Sequence, residues 1–237
     1  MKRLINQSLE AVRELFFPKT CVICDDLLIY GELGICEFCK FHLPYSSFEF
    51  DSENPIVKAL WGRCSLSHGY HLLNYRRGSM ASKLLHAIKY QNQKDLAIVM
   101  GNEVGKSLIR STAISTIDAI VPVPMHEKKV RKRGYNQAEL LANGISSITG
   151  VPVWSDFLRQ MRLTESQTVR GRSDRVSNSG NKYQLNVNLN NLQFKHILLV
   201  DDVMTTGSTI MAAEHAIRTS LNREKLEVSV ATLSYVF

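Results

Sequence analysis

The sequence predicts a doubly wound α/β domain with a mostly parallel sheet, preceded by a small cysteine-rich module. Three observations predict this. Apolar runs such as "IDAIVPVP" (117–124) and "HILLVDD" (196–202) are unbroken rather than alternating, as in strands covered on both faces. Segments with helical spacing lie between them, which implies parallel crossovers. Four of the five cysteines crowd into residues 21–39, away from any such pattern.

At 237 residues the chain is long enough for one good core plus an appended module. Its 44% hydrophobic and 22% charged content are ordinary for a folded soluble protein. No apolar run approaches the roughly 20 residues that span a bilayer. The first segment, "MKRLINQSLEAVRELFF", alternates Leu9, Val12 and Leu15 with Glu10, Arg13 and Glu14. That pattern is an amphipathic helix rather than a signal peptide, so a cytoplasmic location without membrane insertion is expected. Charge divides the chain further. Residues 1–54 carry 5 Lys and Arg against 9 Asp and Glu, whereas residues 55–237 carry 24 against 13. Opposite signs suggest two modules, 1–54 and 55–237, the larger facing an anionic partner such as a phosphorylated metabolite or nucleic acid.

Cys21, Cys24, Cys36 and Cys39 form two C-x2-C pairs separated by eleven residues. Each pair can fold a tight knuckle that aims both sulfurs at one point, and two knuckles complete the tetrahedral thiolate site that zinc prefers. Gly31 and Gly34 punctuate the connection, as a zinc-ribbon-like hairpin would need. An iron–sulfur cluster satisfies the same spacing, and a disulfide pair is the competing reading in an oxidising compartment. With four thiolates no coordination position stays open, so the expected metal is structural. Cys64 lies outside the spacing and reads as a small buried hydrophobe.

A polar, unperiodic stretch at 46–54 leads into the larger module. "SMASKLLHAIKY" (79–90) places Leu84, Leu85 and Ile88 at helical spacing, and 95–109 continues as a helix weakened by Gly101 and Gly105. Residues 117–124 are the first strand. A helix over 136–148 follows, capped by Asn136 and Glu139. Residues 196–202 form the next strand, 208–221 a helix, and "LEVSVATLSYVF" closes the chain as a strand. In such folds ligands bind at the carboxyl ends of the strands, so the loops after Val123 and Asp202 are the ones to examine.

The second of these reads "DDVMTTGST" (201–209). A helix N-terminus offers unpaired N–H groups and about half a positive charge. Small residues let a phosphate approach that backbone, and Thr205, Thr206, Ser208 and Thr209 add hydroxyl donors. Without a Lys this is not a Walker A loop, and its glycine pattern is not that of a dinucleotide turn. Asp201 and Asp202 can accept hydrogen bonds from sugar hydroxyls or hold a cation. A phosphate grip beside a diol grip implies a phosphorylated ribose. The competing reading, an N-cap and turn, accounts for Ser208 but not for two strand-end carboxylates.

The stretch from Ile197 to Thr209 resembles the 5-phosphoribosyl-1-pyrophosphate (PRPP) motif of type I phosphoribosyltransferases, and the resemblance implies a sheet of that kind. It also implies that Asp201 and Asp202 take the ribose hydroxyls, that Val203 and Met204 belong to the binding segment, and that Thr205, Thr206, Gly207, Ser208 and Thr209 take the 5-phosphate. Magnesium would accompany PRPP. "IVPVPMHEKKVRKRGYNQAELLA" (120–142), "LLHAIKYQNQKDLA", "RLTESQTVRGRSDRVSN" and the cysteine module are together similar to the ComF family, competence-associated proteins with a phosphoribosyltransferase domain. The pattern departs near the end of the third segment, where an aromatic is only loosely present as Tyr183.

Within that frame Lys128, Lys129, Arg131, Lys132 and Arg133, with Gln137, form a basic loop after the first strand, near where pyrophosphate would lie. Arg162, Gln167, Arg170, Arg172 and Arg175 fall in a polar stretch whose place matches the mobile loop that closes over the site in such transferases. For each single cation a solvated surface charge is the favoured reading, and for each cluster as a whole anion binding is favoured. His86 and Lys89, one turn apart, read equally as substrate neighbours or as a surface pair.

Two functions compete. One is transfer of phosphoribose from Mg-PRPP to an unnamed nitrogen acceptor, with Asp201 and Asp202 at the centre. The other is a non-catalytic protein that handles single-stranded DNA during uptake, with competence or recombination proteins as partners and the fold as PRPP sensor or scaffold. The basic balance favours nucleic acid, while the lack of an evident aromatic array for base stacking argues against it. A PRPP-dependent regulator has no separate DNA-reading helix to support it.

Overall fold

The computed structural model describes residues 18–161, 182–186, 193–221 and 225–237. The amphipathic segment over 1–17 lies outside them, as do Arg162, Gln167, Arg170, Arg172 and Arg175. In chain order the elements are α1 (Glu37–Phe41), α2 (Pro55–Leu60), β1 (Gly69–Tyr75), α3 (Met80–Tyr90) and α4 (Lys94–Leu108). A 3-10 turn (Thr112–Thr116) precedes β2 (Ala119–Pro122), α5 (Glu127–Arg133) and α6 (Gln137–Thr149). Then come β3 (Leu158–Gln160), β4 (Tyr183–Leu185), β5 (His196–Met204), α7 (Ser208–Leu221) and β6 (Glu227–Val236).

The main sheet has the order β1-β6-β5-β2, and every pair in it is parallel. Its unbroken apolar strands are covered on both faces, as expected. Side chains alternate along a strand, so Leu198 and Val200 of β5 join the cluster built by α3, α4 and α6, whereas Ile197 and Leu199 join the cluster built by α2 and α7. Both sheet edges are shielded by irregular backbone. Residues 45–51 bridge β1 at Leu73 and Gly69, and Val153 bridges β2 at Ile120. β3 and β4 form a separate antiparallel pair against α7.

Helices α4 and α6 meet backbone to backbone. A Cβ built on Gly101 would fall 2.3 Å from the Leu141 carbonyl oxygen, and one on Gly144 would fall 2.3 Å from that of Ile98. The glycines that weaken α4 as a helix are therefore what lets it approach α6. Ile23, Ile35 and Leu43 of the cysteine segment pack in the same cluster as α3 and α4, and Lys83 Nζ donates to the Ile23 carbonyl at 2.9 Å.

Three expectations need correction. Residues 127–133 are a helix rather than a loop. The His126 ring caps α5 by accepting from the Lys128 N–H at 3.1 Å, and Gly134 ends it at φ 84°. No apolar stripe announced that helix because none of its residues is buried. Strand β5 runs on to Met204, two residues past the carboxylates. Finally, β1 was hidden by the polar His71 and Asn74 within it; His71 Nε2 meets Asn74 Oδ1 at 3.1 Å, while His71 Nδ1 is buried without a partner. Among the described residues no helix is long and apolar enough to cross a membrane.

Candidate functional site

β5 lies inside the sheet, between β6 and β2, and delivers Asp201 and Asp202 to its carboxyl end. One Asp201 carboxylate oxygen accepts the Asp202 N–H at 2.8 Å. Asp202 is buried and pairs with Lys89 Nζ at 3.0 Å. Burial and the adjacent Asp202 charge push Asp201 up to about 7, against the pull of Lys89 and Lys182. Two carboxylates held this close gain from any cation or hydroxyl donor that shares their charge.

The chain then turns at Thr205 and Thr206, both exposed, into Gly207 at φ +73°. Met211 N–H reaches back to the Gly207 carbonyl at 2.9 Å, so the first-turn amides of α7 have no intrahelical acceptor. Thr206 Oγ1 donates to Ser208 Oγ at 3.3 Å. Asp201, Val203, Met204, Thr205, Gly207, Ser208 and Thr209 line a hollow of about 20 Å³, so an anion would seat at its mouth rather than inside. Gly207 lines that hollow with its backbone, and the side chain it lacks would point the other way. A Cβ there would lie 2.5 Å from Leu60 Cδ2, so a glycine is required here by backbone conformation and by α2 packing.

Cations ring the carboxylates. Lys89 is the residue of the His86/Lys89 pair that reaches the site, whereas His86 stacks on Tyr90 with ring centroids 5.0 Å apart. Lys182 escaped the sequence reading. It donates to Thr209 Oγ1 at 3.5 Å, lies over the Tyr183 ring at 5.1 Å, and is lowered by burial and by Lys129 against the pull of Asp201. Its only sequence signal was its place just ahead of Tyr183. Lys129 of the basic helix α5 is thus close enough for its charge to be felt at Lys182.

On α5, Lys128, Lys129, Arg131 and Lys132 are exposed. Arg133 turns inward instead. It donates to Gln137 Oε1 at 3.1 Å and covers the Tyr90 ring at 5.2 Å. Gln137 is fully buried, and its Nε2 has no partner.

The four N-terminal cysteines converge, with all four sulfurs within 4.8 Å of one another. Cys24 and Cys36 Sγ stand 3.8 Å apart, and a tetrahedron with metal–sulfur bonds of about 2.3 Å has edges of about 3.8 Å. Cys39 N–H points at Cys36 Sγ at 3.4 Å, as in a knuckle. Burial and the neighbouring sulfurs push the Cys39 thiol up, whereas backbone N–H groups bring Cys21 down to about 7 against its own burial. A divalent ion would remove that conflict by holding all four as thiolates. The geometry can hold zinc.

No family model matches the chain. Similar solved structures include adenine phosphoribosyltransferase from Leishmania tarentolae, which aligns over 78% of this chain and 89% of its own at 10% identity and a TM-score of 0.33. The DNA utilization protein YhgH of Escherichia coli K12 is 26% identical over 212 residues, covering 83% of this chain and 89% of that protein. Competence protein F of Haemophilus influenzae is 28% identical over 229 residues, covering 90% of this chain and 96% of that protein. The likeness to the ComF family carried by the motifs thus extends along most of the chain, which is a relative of competence protein F and of the YhgH proteins.

Proposed function

We propose that the protein binds PRPP with magnesium at the carboxyl end of the sheet and acts as a phosphoribosyltransferase with a role in DNA uptake or utilization. The observation that carries this is the pairing of Asp201 and Asp202 with the open N-terminus of α7 one short turn later. Asp201 and Asp202 accept the ribose hydroxyls. The 205–209 turn receives the 5-phosphate on first-turn amides and on the Thr205, Ser208 and Thr209 hydroxyls. Magnesium, when bound, neutralises pyrophosphate charge. Lys89, paired with Asp202, and Lys182 oppose the burial that raises Asp201 and orient the acidic pair, and Lys128 and Lys129 are the cations proposed to balance the leaving group's charge. Such a reaction needs little covalent help from the protein, so positioning and electrostatics supply the rate. Zinc in the cysteine quartet is structural in this account, and the site of reaction is the cytoplasm.

The exposed cations of α5 favour a second reading, in which the fold senses PRPP while this helix contacts single-stranded nucleic acid. The names of the relatives, competence and DNA utilization, support the same context. Calorimetric titration with Mg-PRPP, followed by pyrophosphate release across a panel of nucleobases and amines, separates the two. Binding with release supports the transferase. Binding without release across the panel supports the sensor, and no binding removes both.

A further inference from the structure

At the amino end of the same sheet, far from the carboxylate pair, a second cluster of metal-binding chemistry stands unused. His68 precedes β1, His196 opens β5 and Glu227 opens β6. One ligand atom from each lies within 4.8 Å of the others, an arrangement matched among the described residues only by the four cysteines. His196 is 2% exposed and held on both ring nitrogens. Its Nε2 meets Ser229 Oγ at 2.7 Å, and its Nδ1 meets Thr116 Oγ1 at 2.8 Å with Glu227 Oε2 3.8 Å away. Ser229 Oγ also stands 3.4 Å from His68 Nδ1. The two imidazole centroids lie 5.9 Å apart, with their planes tilted by 33°.

We infer that His68, His196 and Glu227 form a second metal site, for a divalent transition ion of the zinc class, with one position open to water or an outside ligand. Bond lengths of about 2.0–2.2 Å place ligand atoms about 3.3–3.5 Å apart in a tetrahedron. The cluster must therefore close by about 1 Å or slightly more. His196 cannot move, but Glu227 has an exposed side chain and His68 is only half-buried, so rotation of these two closes it. In the metal-bound form His196 ligates through Nδ1, Thr116 Oγ1 yields that position, and the proton moves to Nε2 for donation to Ser229 Oγ. That is the outer-shell bond that orients a ligating imidazole. Two imidazoles and one carboxylate are a donor set that suits zinc, copper or nickel better than magnesium or calcium. Asp201 lies five residues further along β5, about 17 Å at the usual rise per residue, so this ion takes no part in PRPP chemistry. It would instead clamp the starts of β5 and β6 to the segment entering β1.

The test uses the full chain with its cysteine site already filled, titrated with Co2+ and separately with Zn2+. The site predicts a second equivalent of metal per chain whose cobalt spectrum shows d–d absorption without thiolate charge transfer. It also predicts that His68→Gln and Glu227→Gln each weaken that second equivalent at least tenfold while the first stays bound. Both side chains reach the surface, so these variants should fold, and far-ultraviolet circular dichroism checks that they do. A single equivalent per chain would overturn the proposal, as would a second equivalent with thiolate bands or one unchanged in both variants.

Discussion

Asp201 carries the strongest electrostatic conflict at the proposed site. Its carboxyl is raised to about 7 by burial and by Asp202, whereas in the unfolded chain it titrates near the ordinary carboxylate value. The folded protein therefore binds more protons than the unfolded chain between those two values, and stability falls as pH rises through that window. Asp201→Asn should gain roughly 1–2 kcal/mol at pH 8 in denaturant unfolding, a discounted figure because Asp201 keeps some solvent access. The same variant should lose the ribose grip, so stability and Mg-PRPP affinity should move in opposite directions. A parallel loss of both would mean that Asp201 is a folding residue only. In the parent, Mg-PRPP affinity should rise as pH climbs to about 7 and then level off, because only the ionised carboxylate accepts two ribose donors. Gly207 behaves differently. Gly207→Val should cost roughly 2–4 kcal/mol, since it combines a β-branched residue at φ +73° with a contact 2.5 Å from Leu60. The spacing of the 201–209 stretch made the acidic pair and the turn legible in the sequence. Lys182 was not legible, because it nears Asp201 only once β4 packs against α7.

At the scale of elements, the α4–α6 contact and helix α5 carry the clearest tests. Glycine in a helix interior costs about 1 kcal/mol relative to alanine, so Gly144→Ala should stabilise α6 on propensity alone. The structure argues the reverse, because the new Cβ would sit 2.3 Å from the Ile98 carbonyl oxygen and pry α4 from α6. Thermal unfolding of Gly144→Ala should show a loss of at least about 2 kcal/mol, and any gain would mean that the helices are not in backbone contact. Helix α5 was missed because its exposed sequence has no apolar period, only a ring cap before it and a left-handed glycine after it. Its cations test the nucleic-acid reading. Replacing Lys128, Lys129 and Lys132 with Gln should flatten the salt dependence of single-stranded DNA binding by a log–log slope of about 0.7 for each phosphate no longer neutralised. Mg-PRPP binding through the 205–209 turn should persist. An unchanged slope would remove α5 from the nucleic-acid interface.

For the whole molecule, the fold class was legible because unbroken apolar strands can be covered only from both sides, and they are. The opening strand was not, because His71 and Asn74 interrupt its apolar run, and their contact with each other and with the Tyr45 carbonyl appears only in the fold. The sequence also separated residues 1–54 by charge, yet Ile23, Ile35 and Leu43 share a core cluster with α3 and α4, a contact that charge counting cannot reveal. Metal loss should therefore propagate. On the proposed zinc assignment, Cys36→Ser, or chelation of the metal from the quartet, should destabilise the protein by roughly 3 kcal/mol or more in thermal unfolding. It should also weaken Mg-PRPP binding indirectly, through the α3 residue Lys89. The central claim remains the phosphoribose grip at the end of β5, and calorimetric titration of Mg-PRPP into the parent and into Asp201→Asn/Asp202→Asn tests it most directly. The account predicts one Mg-PRPP per parent chain and at least a hundredfold weaker binding in a double variant that stays folded. Equal affinity in the two proteins, or no binding to the parent, would contradict it.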